Sequence, residues 1–491
     1  MPDRCLNSGE CRPYCQVLSE LSGEALAVPC EWPVQLEQDY EQNGSTNPEL
    51  ARHTADRLVK ILHTGNTVRD MLDSIGSELS SAHEANTLVF DSRLELWKSY
   101  AAAAKHDRTI TDIEVEYYTS KLQETLKQAG TILRQGGVSA ETMTYAQAIH
   151  DRETLEDYGL LFDESMLQTV TDLCANAASG KSTLLIGDKG IAKTQAAKFV
   201  SSLFAPDGKP RFISGDGSMM KDEFMGKMTL TEQNGATVTT FQRGILTQCM
   251  EDGIPLVIDE INLIDPGIAM RLQDILLRKP GGVVTIQEDD GTAITIKHGF
   301  CVLATANEAS TRYQSRAVLD PAFRDRYVVL PIEYPDGETI MLQSNERPPS
   351  LARLAYAFAI SRNGIASGRV SPRDALWLSS VAHASQQLYS KPARDVKTGM
   401  LGNKVASVID DSEPRMTDCI TPRKMVGILQ TIDSGINPYD TASGVKGLAM
   451  DTVAAMQHRE DRQTMFEVMR LMHDGASGTF DEIIIKKRLR L

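Results

Sequence analysis

The sequence predicts an α/β protein, with a five-stranded parallel sheet set between an all-helical N-terminal region and a helical C-terminal region. Three observations carry this prediction. Between about residues 166 and 335, short apolar segments alternate with helical stretches, the sign of a parallel sheet covered by helices. Before that region, apolar residues recur at spacings of three, four or seven, as on one face of a helix. After Pro335 strand-like segments nearly vanish and helical ones return.

Taken in order, residues 1–45 contain Pro2, Pro13, Pro29 and Pro33 with little periodicity, and are expected to be irregular. Leu58, Ile61, Leu62, Leu72, Ile75 and Leu79, then Ile113, Val115, Tyr118, Leu122, Leu126 and Ile132, predict a helical domain over 46–160. Strands are expected at Thr183–Ile186, Arg211–Ser214, Leu256–Ile258, Phe300–Ala304 and Val328–Leu330, within a core over 161–335. Two hairpins are expected to interrupt it, turning at Asn234-Gly235 and Asp290-Gly291, dipeptides that suit tight turns with positive φ. Leu351–Ser361 and Arg373–Leu388 are the clearest helices of a second helical domain over 336–450, and 451–491 is read as a C-terminal helix with a basic tail.

Composition narrows the function classes. The chain has 491 residues, enough for two to four domains, with 41% hydrophobic and 24% charged residues, near the globular average. No apolar run reaches the roughly 18–20 residues that span a bilayer, and the first twenty residues hold no apolar stretch of signal-peptide type, so a cytoplasmic protein is expected. The net charge of −15 disfavours a broad grip on nucleic-acid phosphates. Cys5, Cys11, Cys15 and Cys30 cluster near the N-terminus without a Cys-x-x-Cys pair, so free thiols are expected over a zinc site. Cys174, Cys249, Cys301 and Cys419 stand in apolar surroundings and read as core fillers.

The segment that points to chemistry is Gly187-Asp188-Lys189-Gly190-Ile191-Ala192-Lys193-Thr194, after an apolar strand and before a helical run. Glycines let such a loop turn its N–H groups inward on phosphates, and the helix adds its positive dipole end. Lys193 is then placed for the β- and γ-phosphates and the Thr194 hydroxyl for Mg²⁺. Ala192 stands where the G-x-x-x-x-G-K-(S or T) pattern has its second glycine, a change of little cost if that residue has helical torsions. Gly180-Lys181-Ser182 matches the end of the same pattern but precedes a strand, so its geometry is reversed.

Two further segments complete the constellation. The apolar strand Leu256–Ile258 ends in Asp259 and Glu260, one carboxylate to position Mg²⁺ and one to polarise the attacking water. Asn307 follows the next apolar strand, where its amide is placed to orient that water, and Arg324 and Arg326 sit on a short helix before the last strand.

This ordered series resembles the AAA+ ATPases, and within them the MoxR, CbbQ/NorQ and dynein-related (midasin-like) branch. The likeness covers about residues 165–390 and rests on Gly187–Thr194, Phe241–Leu246, Asp259–Asn262, Ala304–Asn307, Leu319–Tyr327 and Ser371–Asp374. The resemblance implies an AAA+ P-loop core with a helical lid. It also implies ATP and Mg²⁺ as ligands, Asp259-Glu260 as Walker B, Asn307 as sensor 1, Arg326 as finger with Arg324 as rival, and Arg373 as sensor 2 ahead of Arg423. It departs at Asn307-Glu308, where the family commonly has Asn-Pro.

An arginine supplied by a neighbouring subunit implies a homo-oligomer, with a hexameric ring expected from the family. The function expected first is remodelling or activation of a protein partner, with a von Willebrand factor A domain protein as the candidate. A nucleic-acid motor or a restriction or packaging subunit is the alternative, disfavoured by the acidic charge.

Overall fold

The computed structural model describes residues 68–215, 221–233, 236–307, 319–334, 350–359, 370, 372–390, 416–434, 444–471 and 482–491. The described residues form two compact units, one drawn from 89–126 and 158–334, the other from 68–88, 127–157 and 350–491. Helices α1 (Val68–Lys105) and α2 (Asp112–Gln135) contribute residues to both units.

The first unit continues with α3 (Ala140–Tyr158, of which only Tyr158 belongs here), α4 (Glu164–Ala178), β1 (Thr183–Gly187), α5 (Lys193–Phe204), β2 (Arg211–Ser214) and α6 (Lys221–Met225). Then come β3 (Gly226–Gln233), β4 (Ala236–Arg243), α7 (Ile245–Asp252), β5 (Leu256–Asp259) and α8 (Pro266–Leu276). It closes with β6 (Val283–Ile286), β7 (Thr292–Thr295), β8 (Val302–Asn307), α9 (Pro321–Arg324) and β9 (Val328–Ile332). The main sheet has the order β2-β5-β8-β1-β9, and every neighbouring pair is parallel.

Strand side chains alternate between faces, and the core divides accordingly. Leu185, Val257 and Leu303 face one cluster, with α4, α5 and the second half of α1. Leu184, Leu256, Ile258, Val302, Ala304 and Ala306 face the other, with Leu246 and Met250 of α7 and Ile268 and Leu272 of α8. In the first cluster Trp97 of α1 stacks on Phe162 at 5.7 Å and meets Phe199 of α5 edge-on at 5.8 Å. Its indole N–H donates to Thr171 Oγ1 at 2.9 Å. These aromatics explain why the second half of α1 belongs to the sheet unit: its apolar face has its partners there.

Three sequence expectations need correction in this unit. The strand expected at Phe300–Ala304 lies at Val302–Asn307, because parallel pairing with β1 continues to Gly187↔Asn307 and carries polar Thr305 and Asn307 into the sheet. Asp290 and Gly291 do have positive φ, 48° and 84°, but they are not a two-residue turn. Pairing ends at Ile286↔Thr292, and the connection holds a 3₁₀ turn over Gln287–Asp289. Ile113 and Leu126, counted in an apolar face, are exposed. For the other hairpin, Gln233 pairs with Ala236, and Asn234-Gly235 lie outside the described residues.

The second unit holds α3 to Asp157 with α10 (Ser350–Ala359), α11 (Pro372–Ser390), α12 (Pro422–Asp433), α13 (Val445–Ala454), α14 (Arg459–Leu471) and α15 (Glu482–Arg488). Asp151 of α3 is buried and accepts from Arg353 of α10 at 3.0 Å (Nε) and 2.6 Å (Nη2), and Arg152 donates to Asp433 of α12 at 2.8 Å. The helix assigned by periodicity to an N-terminal domain is thus tied to the C-terminal helices by one buried and one half-buried charge pair. The basic run at the C-terminus ends α15, where Lys486, Lys487 and Arg490 are exposed and Arg488 donates to both oxygens of Asp451 at 2.8 Å.

Cys174, Cys249, Cys301 and Cys419 are buried, with no disulfide among them, as their apolar surroundings led one to expect. Burial pushes the Cys249 thiol up to about 12. Cys5, Cys11, Cys15, Cys30 and the periodic residues Leu58, Ile61 and Leu62 lie outside the described residues. No helix among the described residues is long and apolar enough to cross a membrane.

Candidate functional site

The alternation that divides the core also assembles the site. Val257 and Leu303 face α5, so Asp259, Thr305 and Asn307, two and four positions further along their strands, come out on that same face at the strand ends. Helix α5 begins there with Lys193 and Thr194. In an open parallel sheet the carboxyl ends of the strands border the ligand crevice.

The loop after β1 is fixed by close backbone approaches. A Cβ at Gly187 would lie 2.1 Å from the carbonyl oxygen of Ile332 in β9, so no side chain fits. Gly190 has φ 79°. Ala192, however, is left-handed, at φ 64° and ψ 17°, so the expectation that its methyl costs little under helical torsions does not hold. An L-residue there carries about 1–2 kcal/mol of strain.

Lys193 is buried despite its charge, and its ammonium donates to the carbonyls of Gly187 (2.8 Å) and Asp188 (2.5 Å) and to Asn307 Oδ1 (3.1 Å). Asn307 Nδ2 in turn donates to Glu260 Oε1 at 3.1 Å. A cation on one side and a carboxylate on the other settle which way the amide points. Asp259 Oδ1 accepts from Thr194 Oγ1 at 2.7 Å and from Thr305 Oγ1 at 2.5 Å. Because Thr194 gives its proton to Asp259, its oxygen lone pairs remain for a cation. Glu260 is itself left-handed, at φ 49° and ψ 52°. Such strained non-glycine backbone costs about 1–3 kcal/mol and persists where surroundings over-determine it.

The structure thus brings together six residues singled out in the sequence, Gly187, Asp188, Lys193, Thr194, Asp259 and Glu260, with Asn307 as the bridge. The rest of the loop, Lys189, Gly190, Ile191 and Ala192, follows by chain continuity, with Ile191 buried and Tyr334 Oη donating to Lys189 O at 3.3 Å. The arginines are not part of this cluster within the chain. Arg324 ends α9 and is exposed, Arg326 is half-buried with Nη1 inaccessible, and among the described residues neither side chain forms a hydrogen bond or ion pair. Arg373 opens α11, in the other unit, and its side chain lies outside the described residues; Arg423 on α12 is exposed.

Thr305 was missed by the sequence reading. The signal was present in strand alternation, which puts Thr305 on the same face as Asn307, but that needed the true strand limits. Among the described residues no group of three or more His, Cys, Asp or Glu side chains is placed to hold a metal by itself.

This P-loop-like cradle faces an Asp-Glu pair at the strand ends of a parallel sheet, in an α/β core like that of AAA domains. Residues 182–327 match the AAA domain of the dynein-related subfamily. The chain is also similar to the uncharacterized protein YojN of Bacillus subtilis, 28% identical over 268 residues, covering 52% of this chain and 80% of that one. An uncharacterized protein of Staphylococcus saprophyticus is 28% identical over 164 residues, 33% of this chain and 58% of its own length. The chain therefore spans less than two thirds of that relative. Among solved structures, NtrX from Brucella abortus aligns over 75% of this chain and 80% of its own at 13% identity, with a TM-score of 0.34.

Proposed function

We propose that the chain binds ATP with Mg²⁺ at the loop Gly187–Thr194 and hydrolyses it with Glu260 as general base. The observation that carries this reading is the convergence of Lys193, Asn307 and Glu260 on one side with Thr194 and Asp259 on the other. The residues fit the ligand. A hydroxyl with free lone pairs beside one carboxylate suits Mg²⁺, which is held by one or two carboxylates, phosphates and water rather than by an all-protein cage. The buried ammonium of Lys193 and the N-terminus of α5 supply positive potential for phosphate oxygens. When bound, the cation would neutralise charge developing on the phosphates.

The chain's own residues do the remainder. Glu260 takes a proton from the attacking water, and Asn307, which already orients the glutamate, fixes where that water can sit. Arg326, or Arg324 as its rival, acts from a neighbouring copy, which makes the working enzyme a homo-oligomer, in our reading a ring of the MoxR-like kind. Arg373 is a further nucleotide-binding residue by the family likeness. The partner is a protein, a von Willebrand factor A domain protein being the candidate, in the cytoplasm; the net charge of −15 supports this over a nucleic-acid motor.

The test is Mg²⁺-dependent phosphate release from ATP by the purified chain, across a protein concentration series and with DNA or RNA added over a salt series. We expect turnover that rises as the chain assembles and is indifferent to nucleic acid. Steep, salt-sensitive stimulation by DNA or RNA would instead mark a nucleic-acid motor, and no turnover at any concentration would end the enzymatic reading.

A further inference from the structure

We propose that Thr305 is the residue that positions both acids of the site, setting the rotation of the Asp259 carboxylate and holding the strained backbone of Glu260. This rests on the ATP-hydrolysing reading above and adds a residue to which that reading gives no role.

A threonine hydroxyl has one proton to give and two lone pairs to accept with. The backbone N–H of Glu260 can only donate, and it lies 3.1 Å from Thr305 Oγ1, so the hydroxyl accepts there. Its single proton is then committed to Asp259 Oδ1, at 2.5 Å. No other assignment satisfies all three groups. Thr305 is buried, so water is not at hand to replace either bond.

Each bond has a consequence. Asp259 Oδ1 receives two hydroxyl protons, from Thr305 and Thr194, which fixes the carboxylate's rotation and leaves Oδ2 without a protein hydrogen bond among the described residues. That oxygen is the one left for the water shell of a cation. At the next residue the N–H bond helps hold Glu260 at φ 49°, a torsion that an L-residue does not keep unaided. The same hydroxyl thus couples the metal-positioning acid to the general base. The register explains this position: Ile258↔Ala304 sets Thr305 beside Asp259, and among the described residues β8 is the strand paired with both β5 and β1.

The experiment compares the full chain with Thr305→Val, Thr305→Ser and Thr305→Ala. It measures steady-state ATP hydrolysis and the affinity for a fluorescent ATP analogue, with Mg²⁺ and with EDTA. Loss of an outer-shell partner typically lowers metal affinity or activity about 10–100-fold. We therefore expect kcat in Thr305→Val to fall by about that factor, the Mg²⁺-dependent gain in affinity to shrink, affinity in EDTA to stay at the wild-type value, and Thr305→Ser to recover within a few fold. Should the valine variant fail to fold, the serine and alanine variants, which differ by the hydroxyl alone, carry the same comparison. Wild-type kcat and an unchanged Mg²⁺ gain in Thr305→Val or Thr305→Ala would overturn the proposal while leaving the ATPase reading standing. A wild-type chain that binds no nucleotide with Mg²⁺ would overturn both.

Discussion

Asn307 and Glu260 are joined by a hydrogen bond of 3.1 Å, amide nitrogen to carboxylate oxygen, although 46 residues separate them in the chain. The other end of the same amide accepts from Lys193, so the residue that would grip phosphate and the residue that would activate water share one intermediary.

Glu260→Gln removes the base and little else, since a glutamine oxygen still accepts from Asn307. Turnover should fall by at least the roughly 10²–10⁴-fold that a general base contributes, with ATP still bound. The check is single-turnover hydrolysis beside nucleotide affinity; hydrolysis at the wild-type rate would remove Glu260 from the mechanism.

Lys193→Ala leaves the carbonyls of Gly187 and Asp188 and the Asn307 oxygen without their shared cation. Protection of the wild-type fold by a ligand at 100 times its Kd is about 2.7 kcal/mol, and this variant should lose it. Thermal unfolding with and without Mg·ATP measures the difference. Equal protection in both proteins would contradict the loop assignment.

Ala192→Gly should relieve a left-handed alanine. Relief of about 1–2 kcal/mol is partly offset by the greater freedom of glycine in the unfolded chain, about 0.4–1 kcal/mol. The net expectation is neutral to about 1.6 kcal/mol more stable in urea unfolding. A loss of stability would show that the methyl makes a contact worth more than its strain.

His150, in the helical unit, gives a pH prediction. Burial pushes its imidazole down from the usual 6.5 to about 4, against the nearby Asp151, with His83 and Arg353 adding to the depression and Glu153 also facing the ring. The unfolded chain binds this proton at higher pH than the folded one. Stability should therefore fall as pH drops below about 6.5 and go on falling until about 4. Carboxylates titrate in part of the same window, so the comparison is with His150→Gln, whose denaturant midpoint should decline less steeply between pH 6.5 and 4. Parallel declines would dismiss the histidine as a contributor.

Much of the site was legible beforehand because its chemistry is local. The glycines, Lys193 and Thr194 are consecutive, Asp259 and Glu260 end one apolar strand, and Asn307 follows another, so type and spacing sufficed to name them. Thr305 was not legible, since a threonine within a strand is an ordinary residue until pairing sets it beside Asp259. The torsion of Ala192 was misjudged for a related reason: whether a residue before a helix is right- or left-handed depends on how the loop is pinned by strands remote in sequence.

By itself the sequence determined the class of core, its five strands and the residues of the loop and acids, because apolar periodicity and short motifs are properties of neighbouring residues. Tertiary structure alone decided the grouping of the helices. The aromatic face of Trp97 and Phe90 found its partners on α5 and the segment before α4, and Asp151 found its counter-charge on Arg353, some two hundred positions away, at 2.6 and 3.0 Å. Periodicity says that a helix has a face to bury, but only packing and charge pairing choose what it is buried against.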